Sequence, residues 1–249
     1  MYEIIREKLK KSKKIVFFTG AGMSTESGIP DFRSAGGLYS ENEFSGYAPE
    51  QILSWSFFKK QTDTFYKYYF SKIIHKDAKP NAGHLAIASI EAKGYEVTVV
   101  TQNIDGLHTK AGSEKVIELH GSVLKNHCME CGRKYTLVKI LEKSGGVPYC
   151  DYCRGLLRPD VTLYEEALEM DSLVSAVSRI SEADSLFAIG SSLTVQPAAG
   201  LLDYFKGDMF VIINRESTYY DRKADFVINN SCGEVLTDIA GGLNGEYPE

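Results

Sequence analysis

The chain has 249 residues, 43% of them hydrophobic and 24% charged, with a formal net charge of −5. That length suits one large domain with a smaller appendage, and no run approaches the roughly 20 apolar residues of a membrane span. The acidic balance argues against nucleic acid as the main ligand, because neutralising phosphates takes clustered Lys and Arg.

The one basic run, Arg6 to Lys14, reads as the solvated face of an N-terminal helix over residues 2–12. The N-terminus is charged and lacks an apolar signal core, so the expectation is a cytoplasmic protein. "KIVFFTG" (14–20) is a short apolar run closed by glycine, the pattern of a buried strand. "GAGMSTESG" (20–28) follows, rich in small residues, and reads as a tight turn opening a helix. Strand, Gly-rich turn, helix is the order of a nucleotide-binding beginning, since small residues let backbone N–H groups approach a phosphate. Taken alone, Gly20-Ala21-Gly22 is a weak signal, because the full G-x-G-x-x-G spacing is absent. A Pro- and Gly-punctuated loop with Asp31, Phe32 and Arg33 comes next and is placed to close over a ligand.

From about Ser40 to Lys79 the chain is aromatic-rich and helical in pattern, with Phe57, Phe58, Phe65, Tyr68, Tyr69 and Ile73 at mixed helical spacings. Helices packing aromatic faces onto a core explain this, and so does a hydrophobic substrate channel. "PNAGHLAIASIEAKG" carries helix start and stop signals at Asn81 and Gly94. "YEVTVVT" and "KVIEL" read as strands; "DSLVSAVSRISEA" and "PAAGLLDYF" as helices; "SLFAIG", "MFVIIN" and "ADFVIN" as strands; and "CGEVLTDIAGGL" as the start of a last helix. Strands alternating with helices imply a mostly parallel sheet covered on both faces, an α/β fold.

Residues 122–157 break this rhythm. They hold Cys128-x2-Cys131 and Cys150-x2-Cys153, with 18 residues between the pairs. This is zinc-ligand spacing, and in a chain with no secretion signal paired C-x-x-C points to metal rather than disulfides. Four thiolates complete a tetrahedral zinc and leave no open position, so one structural Zn(2+) is expected, supplying much of the folding energy of a small module with little apolar content. The fifth cysteine, Cys232, reads as a small buried residue.

Several of these stretches together resemble the sirtuin family of NAD-dependent protein lysine deacylases. They are "GAGMSTESGIPDFRS" (20–34), "TQNIDGLHTKAG" (101–112), "ELHGS" (118–122), the two cysteine pairs, "LLRPDVTLYEE" (156–166), "GSSLTVQPAA" (190–199) and "INRE" (213–216), in the family's order over nearly the whole chain. The resemblance implies a Rossmann-like NAD-binding domain built from residues 1–35, 81–121 and 158–249. A small domain would combine a helical insertion (36–80) with the zinc module (122–157). NAD and an acyl-lysine peptide would meet in the cleft between them, releasing nicotinamide, lysine and O-acyl-ADP-ribose. His120 matches the family's base and Asn103 its ribose- and water-orienting residue. Cofactor contacts are implied for Ala21, Thr25, Phe32, Arg33, Gln102, Ile104, Asp105, Ser191, Ser192, Asn214, Arg215 and the main chain near Cys232. Thr162, Leu163, Tyr164, Leu193 and Val195 match segments that flank a substrate peptide. His108 matches a position that is mainly structural there, and His75 and His84 read as helix-surface or packing residues. The resemblance also suggests a monomer.

Three positions depart from the family pattern. Glu165 stands where many relatives have Gly, and Tyr39 where many have Trp. Relatives that favour succinyl- or malonyl-lysine carry a Tyr and an Arg three residues apart, where this chain has Tyr66 and Tyr69. A carboxylate in that pocket would lack its charge-assisted partner, so neutral acyl groups are expected. ADP-ribosyl transfer to protein or NAD hydrolysis in the same cleft is the competing enzymatic reading. A zinc-ribbon binding module without catalysis is the non-enzymatic one; it accounts for the cysteines and leaves the other motifs idle.

Overall fold

A computed structural model of the chain describes residues 1–32, 37–38 and 44–243. Arg33 and Tyr39 lie outside the described residues. Helix α1 (Tyr2–Leu9) buries Ile5 and Leu9 and leaves its Lys and Glu side chains in solvent. Strand β1 (Lys14–Thr19) follows, then β2 (Glu96–Thr101) and β3 (Val116–Glu118) on one side of it. On its other side lie β7 (Ser185–Ile189), β8 (Met209–Ile213) and β9 (Phe226–Ile228). The sheet order is β3-β2-β1-β7-β8-β9, and every pairing is parallel. The central strands are buried on both faces, which is why they read as unbroken apolar runs rather than as alternating ones.

Two cores cover the two faces. Helices α5 (Ala82–Ala92) and α9 (Cys232–Gly241) join α1 on one face, with Phe17, Val97, Val99 and Phe187 beneath them. Helix α8 (Met170–Ser181) and the turn Ala199–Tyr204 cover the other face, over Val16, Phe18, Leu186 and Ile212. Two expected helices are tighter than the sequence suggested. The Gly-rich segment forms two single 3-10 turns, Ala21–Met23 and Thr25–Ser27, because Gly28 turns left-handed at φ 80° and Pro30 follows. Residues 199–204 are likewise 3-10 rather than α.

Among the described residues of 37–80, the chain forms α2 (Pro49–Ile52), α3 (Trp55–Lys60) and α4 (Thr62–Tyr68), the last running into a π-turn at Tyr69–Ile73. Phe58, Phe65, Tyr66 and Tyr69 are buried together as edge-on and stacked rings, and the buried Tyr68 meets Phe44 edge-on. A second, antiparallel sheet has β4 (Gly121–Cys128) between β5 (Lys134–Thr136) and β6 (Leu157–Val161), with α7 (Leu137–Leu141) against it. Its β4 begins directly after His120, so only Leu119 and His120 separate the large sheet from the cysteine-bearing one.

Asn81 fixes the entry to α5 relative to the Gly-rich turn. Its Oδ1 accepts from Gly83 N (3.0 Å) and His84 N (3.3 Å), while its Nδ2 donates to Met23 O (2.8 Å). We expect Asn81→Ala to lower unfolding free energy in urea by about 1–2 kcal/mol, as for other lost N-caps.

Candidate active site

A cleft of about 1370 Å³ lies where the parallel strands end. Gly20 follows β1, Gln102 follows β2, Gly190 follows β7 and Asn214 follows β8, and all four line it. The chain runs outward from β1 toward β3 on one side and from β7 toward β9 on the other. The cleft therefore sits at the reversal of strand order, the usual ligand crevice of an open parallel sheet.

The turns after β1 and β7 pack backbone against backbone. A Cβ on Gly20 would lie 2.7 Å from Ser191 Cβ, one on Gly22 would lie 2.8 Å from Gly190 Cα, and one on Gly190 would lie 2.3 Å from Met23 N. Gly190 also has φ 58°, and its carbonyl accepts from Gly22 N at 2.7 Å. No side chain fits between these two turns.

The residues after β2 form one hydrogen-bonded group. Asn103 Nδ2 donates to Gly20 O (3.0 Å) and Ser24 Oγ (3.1 Å), and Ser24 Oγ donates to Asp105 Oδ2 (2.7 Å). Leu107 N donates to Asp105 Oδ1 at 2.8 Å. Burial raises the Asp105 carboxyl above its ordinary value, and these two donors oppose the shift. Gln102 Nε2 donates to Ser191 Oγ (2.9 Å), which also accepts from Leu193 N (3.2 Å), so β2 and β7 are tied across the cleft.

His120 stands at the start of β4 with Nδ1 2.8 Å from Gln102 O. A carbonyl only accepts, so the proton sits on Nδ1 and the Nε2 lone pair is left for a ligand. Burial holds the imidazole below its ordinary value of 6.5, so it is neutral at pH 7. An imidazole with a fixed tautomer and a bare second nitrogen can serve as a general base.

The cleft gathers most of the expected residues: Ala21, Thr25, Phe32, Ile104, Ser192, Asn214, Arg215 and Cys232 all border it. Cys232 is a buried thiol pushed up to about 12, chiefly by burial, and it is remote in character from a reactive thiolate. Thr162, Leu163, Tyr164 and Val195 also line the cleft. Leu193 does not: its side chain is buried in the core under α8, with a left-handed backbone at φ 53°.

The segment after β6 is clamped from both sides. Thr162 N donates to His120 O (2.9 Å), Tyr164 N to Leu53 O (3.0 Å), and Trp55 N to Tyr164 O (3.0 Å). Glu165 occupies a left-handed position, φ 75°, that favours Gly. Its carboxylate accepts from Ser56 N and Ser56 Oγ, both at 2.9 Å, which secures it there.

Sequence reasoning named part of the apolar wall of the cleft, Ile104 and Leu163, offered a hydrophobic channel for the segment holding Tyr69 and Ile73, and missed Val123 and Leu137. Ile73, Val123 and Leu137 line it beside Ile104, Leu163 and Tyr69. Apolar residues that face a ligand read the same as residues that face a core, so only the aromatic density of 57–73 hinted at them. Tyr66 points away from the cleft, its hydroxyl donating to Leu157 O at 2.5 Å.

Cys128, Cys131, Cys150 and Cys153 place their sulfurs within 4.8 Å of one another, with Cys128 to Cys153 at 3.4 Å and Cys131 to Cys150 at 3.8 Å. A tetrahedron with Zn–S bonds of about 2.3 Å has S···S edges of about 3.8 Å, so the four residues fit that ion. Tyr135 adds a hydroxyl donor to Cys150 Sγ at 3.1 Å.

A model of the Sir2 family matches residues 20–197. The chain belongs to the Sir2 family. A Clostridium acetobutylicum relative named NAD-dependent protein deacetylase is 50% identical over 236 residues, covering 94% of this chain and 96% of that protein. One of the same name from Clostridium perfringens is 52% identical, covering 94% and 96%. A solved structure described as "Sir2-p53 peptide-NAD+" superposes with a TM-score of 0.85 at 38% identity, covering 98% of this chain and 100% of that one. The Sir2 family relationship thus covers both the parallel sheet and the cysteine module.

We expect one zinc per chain by elemental analysis, falling to none in Cys150→Ser. That variant should unfold at lower temperature, because the ion contributes folding energy to the β4-β5-β6 sheet.

Proposed function

We propose that this Sir2-family chain is an NAD-dependent protein lysine deacetylase that transfers the acetyl group to ADP-ribose and releases nicotinamide and lysine. The observation that carries the reading is the neutral His120, its Nδ1–H held by Gln102 O, beside the Asn103–Ser24–Asp105 group in a cleft that suits NAD-sized ligands. When bound, NAD supplies an electrophilic ribose carbon and nicotinamide as the leaving group.

The chain's own residues divide the remaining work. The Gly20–Gly22 turn, with Thr25, Ser191 and Ser192, suits the pyrophosphate and ribose hydroxyls. Asn214 and Arg215 stand at the end of β8, where an adenosine ribose fits. Asp105 accepts from the nicotinamide amide, and Asn103 orients the ribose and water. His120 Nε2 takes a proton from a ribose hydroxyl. Ile104, Val123, Leu163 and Ile73 keep bulk water from the acyl-lysine. The substrate main chain lies between residues 162–164 and 192–195; the N–H groups of Thr162, Leu163 and Tyr164 already donate within the chain, so pairing there as an added strand requires one of these partners to yield.

His120→Ala should lower deacetylation by about 100-fold or more, the size of a lost general base, while NAD still binds by calorimetry. The acidic limb of kcat/KM should lie below pH 6.5, because the base works unprotonated and burial lowers its pKa. Nicotinamide release that needs acetyl-lysine peptide supports this reading; equal release without peptide supports NAD hydrolysis or ADP-ribosyl transfer instead.

Acetyl and other neutral acyl groups are the proposed substrates. Tyr69 and Tyr66 are both buried and held uncharged by burial, and neither supplies a cation for a carboxylate. Acetyl-peptide should be turned over at least about tenfold faster than succinyl-peptide by kcat/KM, the worth of one charge-assisted hydrogen bond. A preference for succinyl would overturn this assignment.

A further inference from the structure

Two histidines lie directly beneath the cleft with no part in the chemistry above. His84 on α5 is fully buried and His108, on the short helix α6 (Leu107–Ala111), is 2% exposed. Their ring centroids are 4.6 Å apart, with planes tilted by 56°. Each ring has one nitrogen bonded and one without a partner among the described residues: His84 Nε2 and His108 Nδ1.

The bonded nitrogens fix both tautomers. Asn81 N–H donates to His84 Nδ1 at 3.3 Å, so that nitrogen is the acceptor and the proton sits on His84 Nε2. On the other ring, Thr19 Oγ1 donates to Thr101 Oγ1 (2.8 Å), so it can only accept from His108 Nε2, 3.0 Å away. His108 therefore carries its proton on Nε2 and presents a bare lone pair at Nδ1. The two orphans are complementary: a donor on His84 and an acceptor on His108, on adjacent rings. The ring centroids stand 4.6 Å apart, so a bond between these two nitrogens, direct or through one water, lies within reach of ring adjustment. Leaving both unpaired in a dry interior would cost far more than that adjustment.

We propose that His84 and His108 are positioning residues for the reaction: they form the middle of a one-directional hydrogen-bond chain, Asn81 to His84 to His108 to Thr19 to Thr101. The chain ends on Thr101 Oγ1, which also accepts from Asn103 N at 3.0 Å. It links the start of α5 to the ends of β1 and β2 and sets the main chain of Asn103 where the ribose is read. Both imidazoles stay neutral for this: burial lowers His84 to about 4, against the opposing charge of Glu26, and burial and then His84 lower His108 to about 3. A cation on either ring would break one link, because a second N–H would then face an N–H donor.

The inference rests on the proposed role of Asn103, and its test separates the two. Nitrogen-15 histidine NMR of the wild-type protein at pH 7 should show both rings as Nε2–H tautomers, with the His84 Nε2–H shifted downfield and slow to exchange. A His108 signal of the Nδ1–H type, or titration of either ring near pH 6.5, would overturn the chain whatever Asn103 does. Kinetics then read its consequence. His108→Leu, assayed where circular dichroism shows it folded, should lose about tenfold in kcat, with the acetyl-peptide KM within about twofold. His108→Gln, which keeps a donor near the Nε2 position, should recover to within about threefold of wild type. If both variants keep wild-type kcat per folded molecule and only melt earlier, the histidines are packing residues and the proposal is wrong. If His108→Leu does not fold, His84→Leu takes its place with the same expectation.

Discussion

The site depends on two turns meeting backbone to backbone. The Gly20–Gly22 turn after β1 and the Gly190 turn after β7 approach so closely that a single Cβ on any of the three would strike main-chain or Cβ atoms at 2.8 Å or less. This contact brings Asn103, which donates to Gly20 O, and Gln102, which donates to Ser191, into one group. The parallel sheet makes the contact possible, because neighbouring parallel strands end at the same level.

The second constraint is the join between the two sheets. His120 follows β3 of the large sheet and precedes β4 of the cysteine-bearing sheet, and its carbonyl pairs with Thr162 after β6. Any shift of the small sheet would move the imidazole. The four-cysteine site, the ring cluster of the helical insertion, and the Glu165–Ser56 and Tyr164–Leu53 bonds all hold that sheet in place. The four-cysteine site thus bears on the placement of His120.

Much of this was legible in the sequence. The strands β1, β2, β7 and β8 announce themselves as apolar runs because both their faces are covered. The cysteine spacing fixes a tetrahedral site because thiolate geometry admits little else. The polar residues Gln102, Asn103, Asp105 and His120 stand out because nothing in a core would call for them. Less legible was anything that depends on which way an ordinary residue faces. Ile73 and Val123 line the cleft, Leu193 turns away from it, and no pattern in the chain distinguishes the three. The 3-10 turns at 21–27 also escaped, since small residues near a glycine suit an α-helix start equally well.

The histidines show the boundary most clearly. The sequence by itself determined that His120 sits among hydrogen-bonding residues at a strand end and that four cysteines have the spacing of one metal site, because local composition and spacing decide both. It also ranked His84 with residues of no special context. Only the tertiary structure decided which nitrogen of His120 is free, because Gln102 O comes to Nδ1 from 18 residues away. Only the packing of α5 against α6 decided that His84 and His108 face each other with opposite orphan nitrogens. Tautomers are set by partners, and partners are set by the fold.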